Sequence, residues 1–386
     1  MKLGSRRRFV GAVGAALVCL VSAASVRGQA GQAERPRMAE EVFMDVRVLK
    51  GTTAKQFMDT MGLFAASLNA NCTSCHVEES GGDWSRYADD HPSKTTARQM
   101  VEMVTAINRT YFWGRPVVNC YSCHRFGTRP KLIPNIAELY SVPPDEDPDE
   151  ILRQAPGAPP VDQVFDKYIQ ALGGAARLAG ITSYAGRGTY KAFDDALVYP
   201  LDLYAKAPNQ RATIMHGARG DRAMVYDGRV AWDAVPDTDR PFDLVLPLEG
   251  DDLHAARLEA ELSFPGRIKQ ALVAWRVASP ITVEGRDVQV VQGTNAAGAP
   301  MKLYFDDESG LLVRVLRYTT LPLGRIPTQI DYSDYREVSG VKFPFHWRMR
   351  WTDGELEFDL TELRVNVPVD AARFGKPAVP VVPTAK

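Results

Sequence analysis

The chain reads as a multidomain protein: a mainly α segment, then an α+β domain built on a curved antiparallel half-barrel sheet. Three observations predict this. A unit of amphipathic helix, loop and Cys-x-x-Cys-His occurs twice before residue 130. A stretch rich in proline and acidic residues follows it. Beyond that stretch the hydrophobic period changes from near 3.6 to 2, and successive apolar runs are joined by tight-turn dipeptides.

The two motifs are Cys72-Thr73-Ser74-Cys75-His76 and Cys120-Tyr121-Ser122-Cys123-His124. This spacing is the attachment signature of a c-type haem. Each thiol can add to one vinyl group of the porphyrin, and the imidazole that follows is held beneath the iron as proximal ligand. The motifs use every cysteine beyond residue 19. Zinc is the rival, since two Cys-x-x-Cys pairs can build a tetrahedral thiolate site, usually with about 15–20 residues between pairs. Here the gap from Cys75 to Cys120 is far longer, and a histidine follows both pairs, which zinc does not require. Structural disulfides are the third reading. The residues favour two covalently bound haem c groups.

At 386 residues the chain has length for two domains, each able to bury a core. Its 45% hydrophobic and 24% charged residues are ordinary for a globular protein, and a net charge of −1 gives no basis for a nucleic-acid partner. Residues 1–30 read as an export signal: Lys2 and Arg6 to Arg8 precede the apolar run Phe9 to Val21, with cleavage expected within Ser22 to Ala30. The run is short for a membrane span. Ser5-Arg6-Arg7-Arg8-Phe9-Val10 also resembles a twin-arginine signal, so the export route stays open. Cys19 lacks the small residues expected before a lipidated cysteine.

Residues 32–140 form the expected cytochrome-like domain. Val42 to Leu49 reads as extended or a short helix. Thr53 with Gln56 reads as a capping box opening a helix to about Leu68, with Phe57, Met61, Phe64, Ala65 and Leu68 on one face. A second helix is expected from about Lys94 to Arg109, with Met100, Met103, Val104 and Ile107 as its apolar face. Each helix precedes a motif and carries methionine. A thioether can fill the sixth position of haem iron and raise its potential, although methionine on an apolar helix face is ordinarily core filling. His91, between Asp90 and Pro92, is an alternative axial ligand or a loop residue.

Residues 42–130 resemble the cytochrome c subunit of photosynthetic reaction centres, and still more its two-haem relatives in non-photosynthetic bacteria. The likeness rests on Phe57-Met58-Asp59-Thr60-Met61, Asn71 to His76, Thr96 to Met103, Ile107-Asn108 and Cys120 to Arg125. In that family a methionine on the helix before each motif is the sixth ligand. The resemblance therefore implies Met61 for the first haem and Met100 for the second, with Met58 and Met103, one turn away, as the alternative ligands or as packing partners. Two motifs stand here against the subunit's four, and Phe126 interrupts the family's Arg-Gly after the second motif. Acidic residues Glu78, Glu79, Asp83, Asp89 and Asp90 follow the first motif, suited to steering a basic redox partner. Arg109, Arg115, Arg125, Arg129 and Lys131 surround the second, suited to haem propionates or to a solvated face.

Residues 141–160 contain six prolines and an acidic cluster, and read as a solvated linker. Residues 161–377 form the half-barrel domain and 378–386 a tail. Val161 to Leu178 is expected to be helical, with a break at Gly173-Gly174. Strands are expected near 182–191, 201–206, 211–216, 222–226, 229–234, 287–293, 301–305, 311–318, 327–335, 341–351 and 355–364. Leu253 to Leu262 and Pro265 to Ala274 read as helices. Leu303-Tyr304-Phe305-Asp306 with Ser309-Gly310-Leu311, and Tyr335 to Pro344, resemble the lipoprotein-carrier half-barrel proteins of the periplasm. That likeness implies a domain able to dock a partner protein, a lipid or the membrane surface. Trp232, Phe264, Trp275 and Trp347 read as core, and His216, His254 and His346 as unconnected.

The reading is of an exported, periplasmic or envelope-associated dihaem c-type cytochrome that relays single electrons between redox partner proteins. Cys72, Cys75, Cys120 and Cys123 would carry the haems, with His76, His124, Met61 and Met100 as iron ligands and no catalytic residue. The alternatives are a dihaem peroxidase-like oxidoreductase, which needs an open distal position, and a zinc-binding or haem-sensing envelope module.

Overall fold

The computed structural model describes residues 35–81, 83–141, 152–193, 195–236, 245–295 and 298–379. The expected export signal, the acidic half of the expected linker and residues 380–386 of the tail lie outside the described residues. From Pro36 onward the chain clusters as one compact unit.

The helical segment opens with a single turn, α1 (Ala39–Val42), and the longer α2 (Ala54–Leu68). The expected capping box starts α2: Gln56 N donates to Thr53 Oγ1, and Thr53 N donates to Gln56 Oε1, both at 3.2 Å. Asn69, in the left-handed conformation, ends it. Helix α3 (Pro92–Tyr111) begins two residues earlier than expected, because proline is favourable in the first turn and the His91 side chain caps it. The second motif forms a short helix, α4 (Cys120–His124), whereas the first is a 3₁₀ turn over Cys72–Ser74. A one-turn α5 (Ile136–Leu139) follows.

The buried faces of α2 and α3 overlap the expected ones only in part, at Val104 and, packed against the same core, Phe64. Leu63, Val101 and Val104 close a small core against Leu321, Leu323 and Ile326. The expected stripe Phe57, Met61, Phe64, Ala65 and Leu68 is left half-buried, and Met103 is exposed. Phe57 of that stripe stacks on Phe43 at 5.1 Å.

The C-terminal region starts with α6 (Val161–Ala171) and α7 (Ala175–Ala179), separated at Gly173-Gly174 as expected. Strands β1 (Ser183–Ala192), β2 (Tyr199–Lys206), β3 (Gln210–Gly217), β4 (Gly220–Tyr226), β5 (Ala231–Ala234) and β6 (Val245–Leu248) lead into α8 (Gly250–Leu262). After it come β7 (Val273–Val277), β8 (Ile281–Val283), β9 (Arg286–Thr294), β10 (Pro300–Asp306) and β11 (Leu312–Leu321). The last three are β12 (Gly324–Val338), β13 (Val341–Trp351) and β14 (Gly354–Val365). All pairings are antiparallel, in the order β6-β5-β4-β3-β2-β1-β14-β13-β12-β11-β10-β9-β7, with β8 also on β9. The sheet is open and curved. Its largest apolar cluster joins alternate residues of β13, such as Phe343, Phe345 and Trp347, to Phe165, Tyr168 and Leu172 at α6 and to Leu258 of α8.

Three strands lie beyond the expected set. β6 contains Pro247 and survives because it is an edge strand. β7 replaces the end of the helix expected over Pro265 to Ala274: that stretch is a 3₁₀ turn at Pro265–Gln270, then an irregular strand with Ala274 at a φ of 53°. The three-residue β8 is too short for a periodic signal.

The helical segment rests on the β11–β12 hairpin. Gly324, at its turn, has a φ of 155°, and a Cβ there would come within 2.8 Å of Asn119 Nδ2. Lys55 of α2 pairs with Asp59 at 2.7 Å and with Asp252 of α8 at 2.9 Å.

Candidate functional site

Both Cys-x-x-Cys-His turns are built by the same reciprocal cap. Asn71 Oδ1 accepts from Ser74 N at 3.1 Å, and Asn119 Oδ1 accepts from Ser122 N at 3.1 Å. In return Asn71 N donates to Ser74 Oγ at 3.4 Å and Asn119 N donates to Ser122 Oγ at 3.1 Å. An asparagine before the first cysteine and a serine before the second thus fold each motif into a tight turn. Asn108, buried on α3, sets the approach to the second turn: its Oδ1 accepts from Val117 N and Val118 N, and its Nδ2 donates to Val118 O at 2.7 Å.

The two histidines have matching partners. His76 Nδ1 lies 3.1 Å from Tyr87 O, and His124 Nδ1 lies 3.0 Å from Gly127 O. A carbonyl oxygen can only accept, so Nδ1 carries the proton in both rings and Nε2 keeps its lone pair. Burial lowers the pKa of His76 and the hydrogen bond to Tyr87 O raises it, with the nearby charges of Lys94 and Arg98 adding to the lowering. His91 has the opposite arrangement. Its Nδ1 accepts from Ser93 N at 3.2 Å, so the neutral ring carries its proton on Nε2. In this cap it is a loop residue, the second of its two expected roles.

Around the first motif, Tyr87 packs edge-on against His76 with ring centres 4.8 Å apart, and Trp84 stacks on Tyr87 at 4.9 Å. The loop carrying Tyr87 is held by the buried Lys94. Its Nζ reaches Tyr87 O at 3.0 Å, Ala88 O at 3.1 Å, Asp89 O at 2.8 Å and Asp45 Oδ2 at 3.0 Å. Arg98 also reaches Asp45 Oδ2, at 2.6 Å. Burial raises the Asp45 pKa, but hydrogen bonds from Lys94, Arg98 and Arg47 outweigh it and hold the carboxyl at about 2.

Around the second motif, Arg125 and Phe126 have φ of 46° and 60°. Phe126 takes the left-handed conformation that glycine supplies more readily, and this aims the next carbonyl, of Gly127, at His124. Phe126 N donates to Ser67 O at 3.0 Å, tying the second motif to the end of α2, and its ring meets that of Tyr121 at 5.0 Å. Arg109, Arg115, Arg125, Arg129 and Lys131 are all exposed.

The four cysteines are free thiols, with Cys72 and Cys123 exposed. Burial raises Cys75, and pushes Cys120 up to about 11. Among the described residues no three His, Cys, Asp or Glu side chains converge as a metal-binding group, so the two pairs are not joined in one tetrahedral site. Met61 and Met100 are half-buried on α2 and α3. Paired thiols on capped turns, imidazoles with a free Nε2 and a half-buried apolar stripe on α2 fit covalent haem.

Three elements of the site were not anticipated: the asparagine–serine caps, the Lys94–Asp45–Arg98 cluster and the role of Tyr87 O. The caps had a signal, the identical Asn-Cys-x-Ser-Cys-His of both motifs. The ion cluster joins residues 49 and 53 apart in sequence and had none.

In the second region, His216 Nδ1 is within hydrogen-bond distance of Asp221 at 2.9 Å and His346 Nδ1 of Asp359 at 2.8 Å, on separate strands. Phe264 and Trp347 are in the core, and Trp275 packs against it.

Over its C-terminal part the chain is similar in structure to a LolA superfamily protein from Nitrosomonas europaea, at 12% identity and a TM-score of 0.39, covering 57% of this chain and 99% of that one. It is likewise similar to a DUF1329 family protein from Desulfovibrio piger, at 13% identity and a TM-score of 0.40, covering 56% and 98%. No curated protein matches the chain. No helix among the described residues is long and apolar enough to cross a membrane. Residues 20–139 match the family described as photosynthetic reaction centre cytochrome C subunit. The N-terminal segment is therefore cytochrome c-like, and covalent haem is the cofactor this likeness implies.

Proposed function

We infer that this chain is an exported dihaem c-type cytochrome that passes single electrons between redox partner proteins of the periplasm or envelope. The observation that carries the reading is the paired hydrogen bonding of His76 and His124. Each donates from Nδ1 to a backbone carbonyl, which orients the ring and leaves Nε2 as a ligand. Cys72 and Cys75 would hold one haem, and Cys120 and Cys123 the other. Met61 and Met100 are assigned as sixth ligands, on helices that precede each motif. Bound haem supplies reversible one-electron exchange at its iron. The chain's own residues fix the four thiols on two tight capped turns, orient the imidazoles through their Nδ1 hydrogen bonds and present thioether sulfur from half-buried helix positions. Filling both axial positions from the protein leaves no place for substrate, which favours electron transfer over catalysis. The exposed arginines around the second motif are suited to haem propionates or to an acidic partner. The open sheet of the second region is assigned to docking a partner, a lipid or the membrane surface.

The test is the exported protein's intact mass with haem staining, followed by near-infrared spectroscopy of the Met61→Ala and Met100→Ala variants. Mass for two haems, and loss of the methionine–iron charge-transfer band one haem at a time, would support the relay. A five-coordinate haem in the unmodified protein that reacts with peroxide would favour an oxidoreductase. A colourless protein with the mass of the bare polypeptide would end the reading.

A further inference from the structure

The two proximal histidines have the same kind of acceptor but not the same acceptor strength. Gly127 O takes the proton of His124, and the Lys131 ammonium stands beside that glycine, 3.0 Å from where a Cβ on it would lie, but among the described residues no side-chain cation is hydrogen-bonded to this carbonyl. Tyr87 O takes the proton of His76 at 3.1 Å and, on the same oxygen, the ammonium of Lys94 at 3.0 Å. Lys94 is only 8% exposed, so solvent screens this contact weakly.

We propose that Lys94 is a positioning residue that raises the reduction potential of the haem held by Cys72, Cys75 and His76, through the carbonyl it shares with His76. This rests on the haem reading above. A carbonyl that draws strongly on Nδ1–H gives the imidazole imidazolate character, makes it a stronger donor and favours ferric iron. An ammonium on the same oxygen withdraws that electron density, so the imidazole stays a weaker donor and ferrous iron is favoured. The buried positive charge acts with the same sign. Asp45, bonded to Lys94 at 3.0 Å and to Arg98 at 2.6 Å, opposes it by neutralising part of that charge. Lys94 thus raises the potential and Asp45, in the turn after α1, limits the rise, whereas the Lys131 ammonium near Gly127 is not hydrogen-bonded to the carbonyl that His124 uses.

The experiment is spectroelectrochemical titration of the haem-loaded full chain and its Lys94→Met and Asp45→Asn variants. In Lys94→Met one midpoint should fall, by about a tenfold change in the ferric–ferrous equilibrium (about 59 mV for one electron), while the other stays in place. In Asp45→Asn the same midpoint should rise, since the ammonium keeps its three carbonyl partners. A purely structural clamp would not give opposite signs. Shifts in the same direction, or an unmoved midpoint in Lys94→Met with normal haem content, would overturn the proposal and leave the haem reading intact. If Lys94→Met does not load haem, Asp45→Asn decides alone: a rise supports the proposal and no rise overturns it. An unmodified protein without haem on Cys72 and Cys75 would overturn both readings.

Discussion

The ammonium of Lys55, on α2, lies 2.9 Å from the carboxylate of Asp252, on α8, so a helix of the cytochrome-like segment is ion-paired to a helix of the sheet region. Asp59 completes the group at 2.7 Å. Burial and the neighbouring Asp252 raise the Asp59 pKa against the pull of Lys55, and burial raises that of Asp353 beside Gly62. Three carboxylates therefore gather around one cation where the two regions meet.

Replacing Lys55 with methionine should cost about 1–3 kcal/mol, because it leaves half-buried carboxylates facing one another without their cation. Urea unfolding followed by circular dichroism measures this. The core that Leu63, Val101 and Val104 share with Leu321, Leu323 and Ile326 adds a second expectation. Haem absorbance and tryptophan fluorescence should report coincident transitions in the unmodified protein. Separate midpoints would mean that the shared core does not couple the two regions.

Asp45 predicts an acid limb. Its carboxyl is held at about 2 in the folded chain, against an ordinary value of 3.8. A depressed folded pKa contributes stability that is fully present above the unfolded value and is lost as pH falls through the folded one. Stability should therefore drop between about pH 4 and pH 2 in the unmodified protein. Asp45→Asn should be less stable at neutral pH and show a shallower drop over that window. Equal slopes for both proteins would refute the linkage.

The caps predict a symmetric pair of losses. Asn71→Ala and Asn119→Ala should each cost about 1 kcal/mol, and the glycine replacements only a few tenths, since glycine tolerates the cap conformation. Thermal unfolding of the four variants checks the order. Equal losses for alanine and glycine would mean that the side-chain bonds contribute more than the backbone conformation.

The strands of this protein could be read from sequence wherever one face is buried and the other wet. In β13, Val341, Phe343, Phe345, Trp347 and Met349 alternate with more exposed residues, and the expected bounds 341–351 match the observed ones. The same rule hides β6, where Pro247 sits, and β7, whose register breaks between Val273 and Arg276. For α2 the sequence showed one apolar face, and the structure has two: Leu63 with Gly62 and Ser67 inward, Met61 with Phe57 half-buried beside them. A helix that meets protein on one side and is apolar on the other has no single hydrophobic stripe, so periodicity reports only the stronger of the two. The cysteines and histidines of the candidate site were legible from spacing alone. The partners of those histidines were not, because backbone carbonyls have no sequence identity, and the lysine that shares one of them acts across a fold.

The strand that opens the sheet, β1, lies against the strand that closes it, β14, along nine residue pairs from Tyr184–Val365 to Ala192–Leu356. Such non-local pairing forms slowly and needs nearly the whole chain. Both Cys-x-x-Cys-His segments emerge long before that, and the hairpin that roofs α2 and α3 is itself made late, from residues 312–338. During synthesis the four thiols thus have an interval before that hairpin and the β1–β14 pairing form, the interval in which the proposed haem attachment would meet an unfinished fold.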